Sequence, residues 1–459
     1  MITVAELLRA PVAVLGGGVT GAAIISFLQS RGVAFDLYDE KSTVTQGVVA
    51  QAALSDPAKY GLAIVSPGWR RDHAMVRELE AASVQIISEI DLAWLVKCEI
   101  APNQLWIALT GTNGKTTTIQ MVQSIVDASQ FTGVACGNVG EPVLSALMRD
   151  KPYDILALEL SSFQLEWSEL PHFHAAAILN LAPDHIDWHG SFEDYATTKM
   201  ALLQRAKVAI LNKNDPEIMR RSATVTRRKI FYSLETPLPG EFGLVEELLI
   251  DRAFVASAEQ AELIAELSDI TPQVPHNISN ALAAAALMRA IGISHQVIKS
   301  GLSAFRMDRH RLELVGEGDG VRWINDSKAT NPHAAIAGIL SFTSVIWIAG
   351  GLAKGADMEP LVKRAAPRLK AVVLIGTDRE LIADALQIHA PAIPVYRIDA
   401  HSSPELFAQA IVAQAKALAE SGDVVLLAPA CASMDQFSSY TERGSLFADA
   451  VKATLGLDR

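Results

Sequence analysis

The run Leu105-Trp106-Ile107-Ala108-Leu109-Thr110-Gly111-Thr112-Asn113-Gly114-Lys115-Thr116-Thr117-Thr118 sets a lysine and a row of hydroxyls directly behind an apolar strand and two glycines. Backbone N–H groups of such a loop can surround a phosphate, and the helix that starts behind it adds the positive end of its dipole. Lys115 has the reach for terminal phosphates, and the Thr116 hydroxyl suits Mg²⁺. Gly111, Thr112, Asn113, Gly114, Lys115, Thr116 and Thr117 therefore make a candidate triphosphate site. The loop is a shortened variant, because Leu109 stands where the usual P-loop has a glycine. The plainer alternative is an ordinary strand-to-helix turn that happens to contain Gly-Lys-Thr.

More polar groups stand at the ends of apolar runs. Glu159 closes Ile155-Leu156-Ala157-Leu158, and the stretch from Asn180 to Asp187, with His185 in it, follows Ala175 to Leu179; Tyr195 and Lys199 lie beyond. Mg²⁺ takes oxygen ligands and keeps several waters. Glu159 and Thr116 could hold one ion against a triphosphate, and the His185 region could serve a second. By residue type alone each has a blander reading: Glu159 as a capped strand end, His185 as a hydrogen-bonded loop histidine, Lys199 as a solvated lysine on a helix. In the last third, Lys328, Thr330, Lys354, Ser433 and Tyr440, with Arg311 after His310, offer cations and hydroxyls that can bind a carboxylate-bearing substrate.

The elements that must position these groups alternate strand and helix. Pro11 to Leu15 reads as a strand, Gly16-Gly17-Gly18-Val19-Thr20-Gly21 satisfies GxGxxG, and a helix follows to Gly32. Ala34 to Tyr38 is a second strand ending at Asp39 and Glu40, where a nucleotide-sugar hydroxyl is often gripped. Leu62 to Val65 leads into Ser66-Pro67-Gly68-Trp69. Ala206 to Leu211, Val321 to Ile324, Val345 to Ala349, Ala371 to Ile375 and Val424 to Leu427 are further strands, and Asn277 to Ala290 is a helix. Residues 217–269 read as a peripheral layer of small strands and acidic helices. The pattern predicts an α/β protein with parallel sheets covered on both faces, and such sheets gather ligands at the carboxyl ends of strands. Three domains are expected: Rossmann-like over 1–102, a central P-loop ATPase-type domain with a parallel sheet over 103–307, and a C-terminal Rossmann-like α/β domain over 308–459.

A chain of 459 residues is too long for one compact core. Hydrophobic residues at 50% and charged residues at 20% fit a soluble globular protein. The balance of 39 basic against 51 acidic residues, −12 in all, argues against a nucleic-acid partner held through backbone charge. Cys98, Cys136 and Cys431 are far apart, with neither a disulfide framework nor a metal-ligand spacing, so a cytoplasmic location is expected. Met1 to Glu6 lacks the basic start of a signal peptide, and four glycines interrupt Val12 to Leu28, so no membrane span is expected.

A nucleotide-type module, an ATP centre and a module for an anionic partner together suggest carboxylate activation. ATP phosphorylates a carboxylate, and an amine attacks the acyl phosphate, with magnesium and lysine screening the charge. The motifs resemble the Mur ligase family of peptidoglycan synthesis, from Gly16-Gly17-Gly18-Val19-Thr20-Gly21 to Asp435-Gln436-Phe437. Glu159-Leu160-Ser161-Ser162-Phe163-Gln164-Leu165, Asn325-Asp326-Ser327-Lys328-Ala329-Thr330-Asn331 and Pro429-Ala430-Cys431-Ala432-Ser433-Met434-Asp435-Gln436-Phe437 are similar to its D-glutamate-adding branch. The Asp-Asn-Pro-Arg signature of the diaminopimelate- or lysine-adding members is absent.

The resemblance implies ATP and two Mg²⁺ ions, with UDP-N-acetylmuramoyl-L-alanine and D-glutamate as partners of a monomer. It implies Lys115 at the ATP phosphates, Thr116 and Glu159 near one ion, and His185 with a carbamylated Lys199 near the second. Asn280 would meet the adenine, Arg311 the phosphates and Asp326 the ribose. Val19, Thr20, Asp39, Ser66 and Gly68 would receive the UDP portion, with Asn138 and His185 beside the rest of that substrate. Lys328, Thr330, Lys354, Ser433 and Tyr440 would surround D-glutamate. Two departures stand out: Tyr440 replaces a familiar phenylalanine, and the loop before Lys354 lacks the aspartate often found two residues ahead. GxGxxG with Asp39 leaves an NAD-dependent oxidoreductase open, though it leaves the ATP loop unexplained; a folate polyglutamate synthase shares the ATP centre but has no need of the first module. A non-catalytic binding protein of the same fold is a third alternative, disfavoured by the intact Lys115, Glu159, His185 and Lys199 set.

Overall fold

The structure, a computed structural model, describes residues 3–40 and 44–457. The chain forms two compact units, one of residues 1–273 and 277–305, the other of 274–276 and 306–459.

The first unit carries two large sheets. Strands β1 (Val12–Leu15) and β2 (Phe35–Tyr38), a small hairpin of β3 (Val44–Thr45) and β4 (Val48–Val49), then β5 (Leu62–Val65) and β6 (Gln85–Ser88) come first in the chain. The four longer strands form a parallel sheet in the order β2-β1-β5-β6. Val12 and Val14 face one apolar cluster while Ala13 and Leu15 face another. Both faces are covered, which is why β1 is an unbroken apolar run instead of an alternating one. The expected strands over 11–15, 34–38 and 62–65 are present within a residue; Gln85–Ser88, mixed in polarity, was not foreseen.

The second sheet has nine strands. β7 (Leu105–Thr110), β8 (Gly133–Gly137), β9 (Ile155–Glu159), β10 (Phe173–Ile178), β11 (Ala206–Asn212), β12 (Arg228–Tyr232), β13 (Glu241–Val245), β14 (Leu248–Asp251) and β15 (Glu262–Glu266) lie in the order β15-β14-β13-β12-β11-β10-β7-β9-β8. The chain leaves β7 to build β8 and β9 on one side and returns to place β10 on the other. The carboxyl end of β7 is therefore a switch point, where open α/β sheets form their ligand crevice. Residues 217–269 correct the expected peripheral layer. Their strands continue the same sheet, β12 parallel to β11 and β13 to β12, with β14 and β15 closing it antiparallel. The short, mixed-polarity runs of these strands hid their pairing, because an edge strand covered on one face reads like an exposed segment.

The second unit holds one sheet. β16 (Glu313–Gly318), β17 (Val321–Asn325), β18 (Val345–Gly350), β19 (Leu369–Ile375), β20 (Val395–Arg397) and β21 (Val424–Leu427) form the order β16-β17-β21-β18-β19-β20, parallel except for β16. Val345, Trp347 and Ala349 point into one cluster and Ile346 and Ile348 into the other, again buried on both faces. Among the described residues no helix is long and apolar enough to cross a membrane.

Candidate active site

The loop after β7 enters its helix, Lys115–Asp127, through Gly114 at φ 80°. A Cβ there would stand 2.6 Å from Asn280 Oδ1, so glycine is required for both the left-handed backbone and the space. Side chains from neighbouring strand ends hold the loop. Asn180, after β10, accepts from the Asn113 N–H at 2.8 Å and donates back to the Asn113 carbonyl at 3.0 Å. The Thr112 hydroxyl meets Tyr195 at 2.9 Å and accepts from the Ala182 N–H at 3.0 Å. Lys115 folds back to donate to the carbonyls of Gly111 and Thr112 at 2.8 and 2.9 Å. Thr116 and Thr117 stand in the first turn of that helix.

Lys199 corrects its reading as a solvated lysine. It is 1% exposed, and its Nζ donates to Thr110 Oγ1 and the Gly111 carbonyl, both at 3.0 Å. No carboxylate among the described residues pairs with it at ion-pair distance. Burial, reinforced by the charge of Lys115 and opposed by Asp184 and Glu159, pushes its ammonium well below the ordinary lysine range. That direction favours the neutral amine, the form that can take up CO₂ as a carbamate. The helical spacing was read correctly; sequence could not show that this face of helix Phe192–Gln204 packs beneath the loop.

Glu159, at the end of β9, is 1% exposed. Its Oε1 accepts from Asn138 Nδ2 at 2.9 Å, while its Oε2 is buried without any partner. A polar oxygen sealed without a partner is costly, and Mg²⁺ takes oxygen ligands, so the residue fits a Mg²⁺ ligand. The Asn138 N–H also donates to the Glu159 carbonyl at 2.9 Å, fixing the two to one another. His185 caps the short helix Ile186–His189 with φ 53°. Its ring lies 4.7 Å from Phe163, and burial, with Asp184 opposing and Lys199 and Lys115 assisting, lowers its pKa and favours the neutral imidazole.

At the end of β1, Gly16 has φ 97° and faces Ser66, and a Cβ on Gly21 would sit 1.9 Å from the Gly16 carbonyl. Asp39 accepts from the Gly17 N–H at 2.7 Å, so the carboxylate braces the glycine loop. Val19 is 75% exposed at the start of helix Val19–Ser30, with Thr20 beside it, and the Ser66-Pro67-Gly68 turn ends β5.

In the second unit, loops after β17, β18 and β21 lie at neighbouring strand ends. Lys328 Nζ sits 3.7 Å from the Tyr440 ring centre. Burial would raise the Tyr440 hydroxyl, but Lys328 outweighs it and brings the pKa below the ordinary value. Asp326 accepts from the Leu312 N–H at 3.3 Å; burial raises its carboxyl, with Arg311 opposing. Ser433 is 3% exposed, and Lys354 takes φ 52° in the loop after β18. The brace for these loops was missed in the sequence. Arg443, 2% exposed, donates to the Ser327 hydroxyl at 3.0 Å, to the Ser327 carbonyl at 2.9 Å and to the Cys431 carbonyl at 3.3 Å. Asp378 accepts from the Ala353 N–H at 2.8 Å and Asp435 from the Thr377 N–H at 2.8 Å. The two aspartates follow strand ends and could have been suspected there; Arg443, within a helix, gives no local signal.

A separate cluster, Asp251, Glu262 and His295, has ligand-type atoms close together. Arg289 already donates to Asp251 Oδ2 at 2.9 Å and lies 3.5 Å from Glu262 Oε2. The guanidinium fills the place of a cation, and the cluster reads as a clamp between β14, β15 and the helices behind them.

The Mur ligase middle domain matches residues 109–288, and the Mur ligase glutamate ligase domain matches residues 310–431. The chain is 44% identical over 469 residues to the UDP-N-acetylmuramoylalanine--D-glutamate ligase of Thermobifida fusca, covering 98% of this chain and 100% of the relative. It is 38% identical over 486 residues to the protein of the same name from Mycobacterium leprae, covering 97% and 98%. Among solved structures it resembles a pseudomurein peptide ligase type C from Methanothermus fervidus, with TM-score 0.62 and 16% identity over 97% of this chain and 100% of that one.

Proposed function

This chain belongs to the Mur ligase family, and we propose that it joins D-glutamate to UDP-N-acetylmuramoyl-L-alanine with ATP, through an acyl phosphate, in cytoplasmic peptidoglycan precursor synthesis. The observation that carries the reading is the group of Lys115, Glu159, His185 and Lys199 around one phosphate-type loop, Glu159 and Lys199 buried and Lys115 and His185 partly open to solvent, in a chain 44% identical to a ligase of that name along its length. An NAD-dependent oxidoreductase gives no use for that loop.

In this reading residues 1–102 are a Rossmann-like module for the UDP portion, with Val19, Thr20, Asp39, Ser66 and Gly68 as contacts and Asn138 and His185 nearer the reacting end. Residues 103–307 take ATP, and residues 308–459 take D-glutamate through Lys328, Thr330, Lys354, Ser433 and Tyr440. Asn280, Arg311 and Asp326 complete the nucleotide contacts, and the enzyme acts as a monomer. Thr116 with Glu159 would hold one Mg²⁺, and His185 with a carbamate on Lys199 would hold the second; the ions supply positive charge against the phosphoryl oxygens.

The residues then have distinct tasks. The loop N–H groups and Lys115, released from the Gly111 and Thr112 carbonyls, align the γ-phosphate. A carboxylate oxygen of the UDP substrate attacks that phosphorus and ADP departs. The neutral amine of D-glutamate attacks the acyl carbon, phosphate leaves with the former carboxylate oxygen, and the amine's proton passes to a base. Tyr440 lies over Lys328, whose ammonium would meet a glutamate carboxylate.

The test follows the oxygen. UDP-N-acetylmuramoyl-L-alanine labelled with ¹⁸O in its carboxylate should pass one label to inorganic phosphate per turnover. Unlabelled phosphate with product formed would exclude the acyl phosphate.

A further inference from the structure

Three residues after the Ser66-Pro67-Gly68 turn have no place in the reaction above, yet they are fastened to its centre. Trp69 gives its carbonyl to Trp167 Nε1 at 2.9 Å. Arg71 donates to the Glu166 carbonyl at 2.7 Å and stacks 4.4 Å from the Trp167 ring. Arg70 donates to the Asp187 carbonyl at 3.0 Å. Asp187 lies in the short helix whose cap is His185, held at φ 53°. A non-glycine residue in that region is strained and keeps its place only where its surroundings enforce it. Phe163 packs against the turn, 4.7 Å from the His185 ring, and Arg70 ties it through the Asp187 carbonyl.

We propose that Arg70 is a positioning residue: through the Asp187 carbonyl it holds the His185 turn in its metal-ready shape and links it to the turn that receives the sugar nucleotide. The proposal rests on the ligase reading, in which Ser66 and Gly68 meet the UDP substrate and His185 serves the second ion. Arg70 itself touches neither. Its reach comes from sequence adjacency: only Trp69 separates it from Gly68, so a shift of the turn on substrate binding moves the guanidinium that holds Asp187. Asp72, 3.1 Å from Arg70 Nε, steadies the guanidinium in that direction. Arg71 grips a different helix, Ser162–Trp167, and so serves as the internal comparison.

The experiment uses the full-length enzyme with Mn²⁺ as the probe, bound ion counted by electron paramagnetic resonance in the presence of ADP and phosphate. The unmodified enzyme should bind a tight and a weaker ion. In Arg70→Met the weaker class should lose about 10-fold or more in affinity, the size of one hydrogen bond from a charged donor, while the tight class is unchanged. Arg70→Lys, which keeps an N–H for the carbonyl, should recover part of the loss, and Arg71→Met, which reaches the turn only through the helix that carries Phe163, should cost the weaker class less than Arg70→Met. Steady-state rates should show a raised KM for the sugar nucleotide in Arg70→Met, with kcat at saturating metal reduced less. Unchanged Mn²⁺ binding in Arg70→Met, or equal losses in Arg70→Met and Arg71→Met, would overturn the positioning role. An unmodified enzyme that binds both ions yet makes no product would refute the ligase reading and leave the link between Arg70 and the weaker ion standing.

Discussion

Glu89 is a buried carboxyl at the first turn of helix Glu89–Ile100, 3% exposed, with Oε1 accepting from the Leu144 N–H at 2.6 Å. Burial, opposed by that hydrogen bond and assisted by Asp91, pushes its pKa from 4.5 up to about 7. The folded chain then holds a proton that the unfolded chain has released, so stability falls as pH rises from about 4.5 to about 7 and is flat above. One pH unit is worth about 1.4 kcal/mol, so ionising Glu89 in the fold costs about 1 kcal/mol at pH 5.5 and about 3 kcal/mol at pH 8. Glu89→Gln keeps an acceptor for Leu144 and removes the ionisation. It should therefore stabilise the protein by about 1 kcal/mol at pH 5.5 and about 3 kcal/mol at pH 8. Calorimetry of both proteins at the two pH values, at fixed ionic strength, measures this. An equal effect at both pH values, or a variant less stable at pH 8, would refute the assignment of a neutral buried acid.

Lys115→Ala should abolish ATP turnover by about 100-fold or more, as expected for a group aimed at transferring charge, while the melting temperature stays within a few degrees, since Lys115 is only half-buried. Lys199→Ala should lose most activity and regain part of it with added short-chain carboxylates, measured as phosphate release; absence of rescue would remove the support for a carbamate. Tyr440→Phe keeps the ring face that Lys328 covers and should change the KM for D-glutamate by less than about 3-fold, whereas Tyr440→Ala should raise it by about 5-fold or more.

What sequence revealed and what it hid divide along physical lines. Strands buried on both faces, such as β1, β7 and β18, are continuous apolar runs that announce themselves, and the polar residues just after them become visible by position. Glu159 and Asn180 were singled out in that way, and the structure places both at strand ends beside the loop after β7. The environment of Lys199 was not legible, because its burial depends on a helix packing under a loop 89 residues away. Arg443 and Arg70 were missed for the same reason: each acts through backbone carbonyls remote in sequence, 116 and 117 residues off. The strands of 217–269 were read as a peripheral layer, and their place in the main sheet was missed, because edge pairing leaves only a weak pattern in short segments.

The most direct test of the proposed activity is phosphate release from ATP with UDP-N-acetylmuramoyl-L-alanine and a panel of amino acids. Release with D-glutamate and little with L-glutamate or the diamino acids is the expected result. Equal rates with both glutamate enantiomers, or release that ignores the amine altogether, would contradict it.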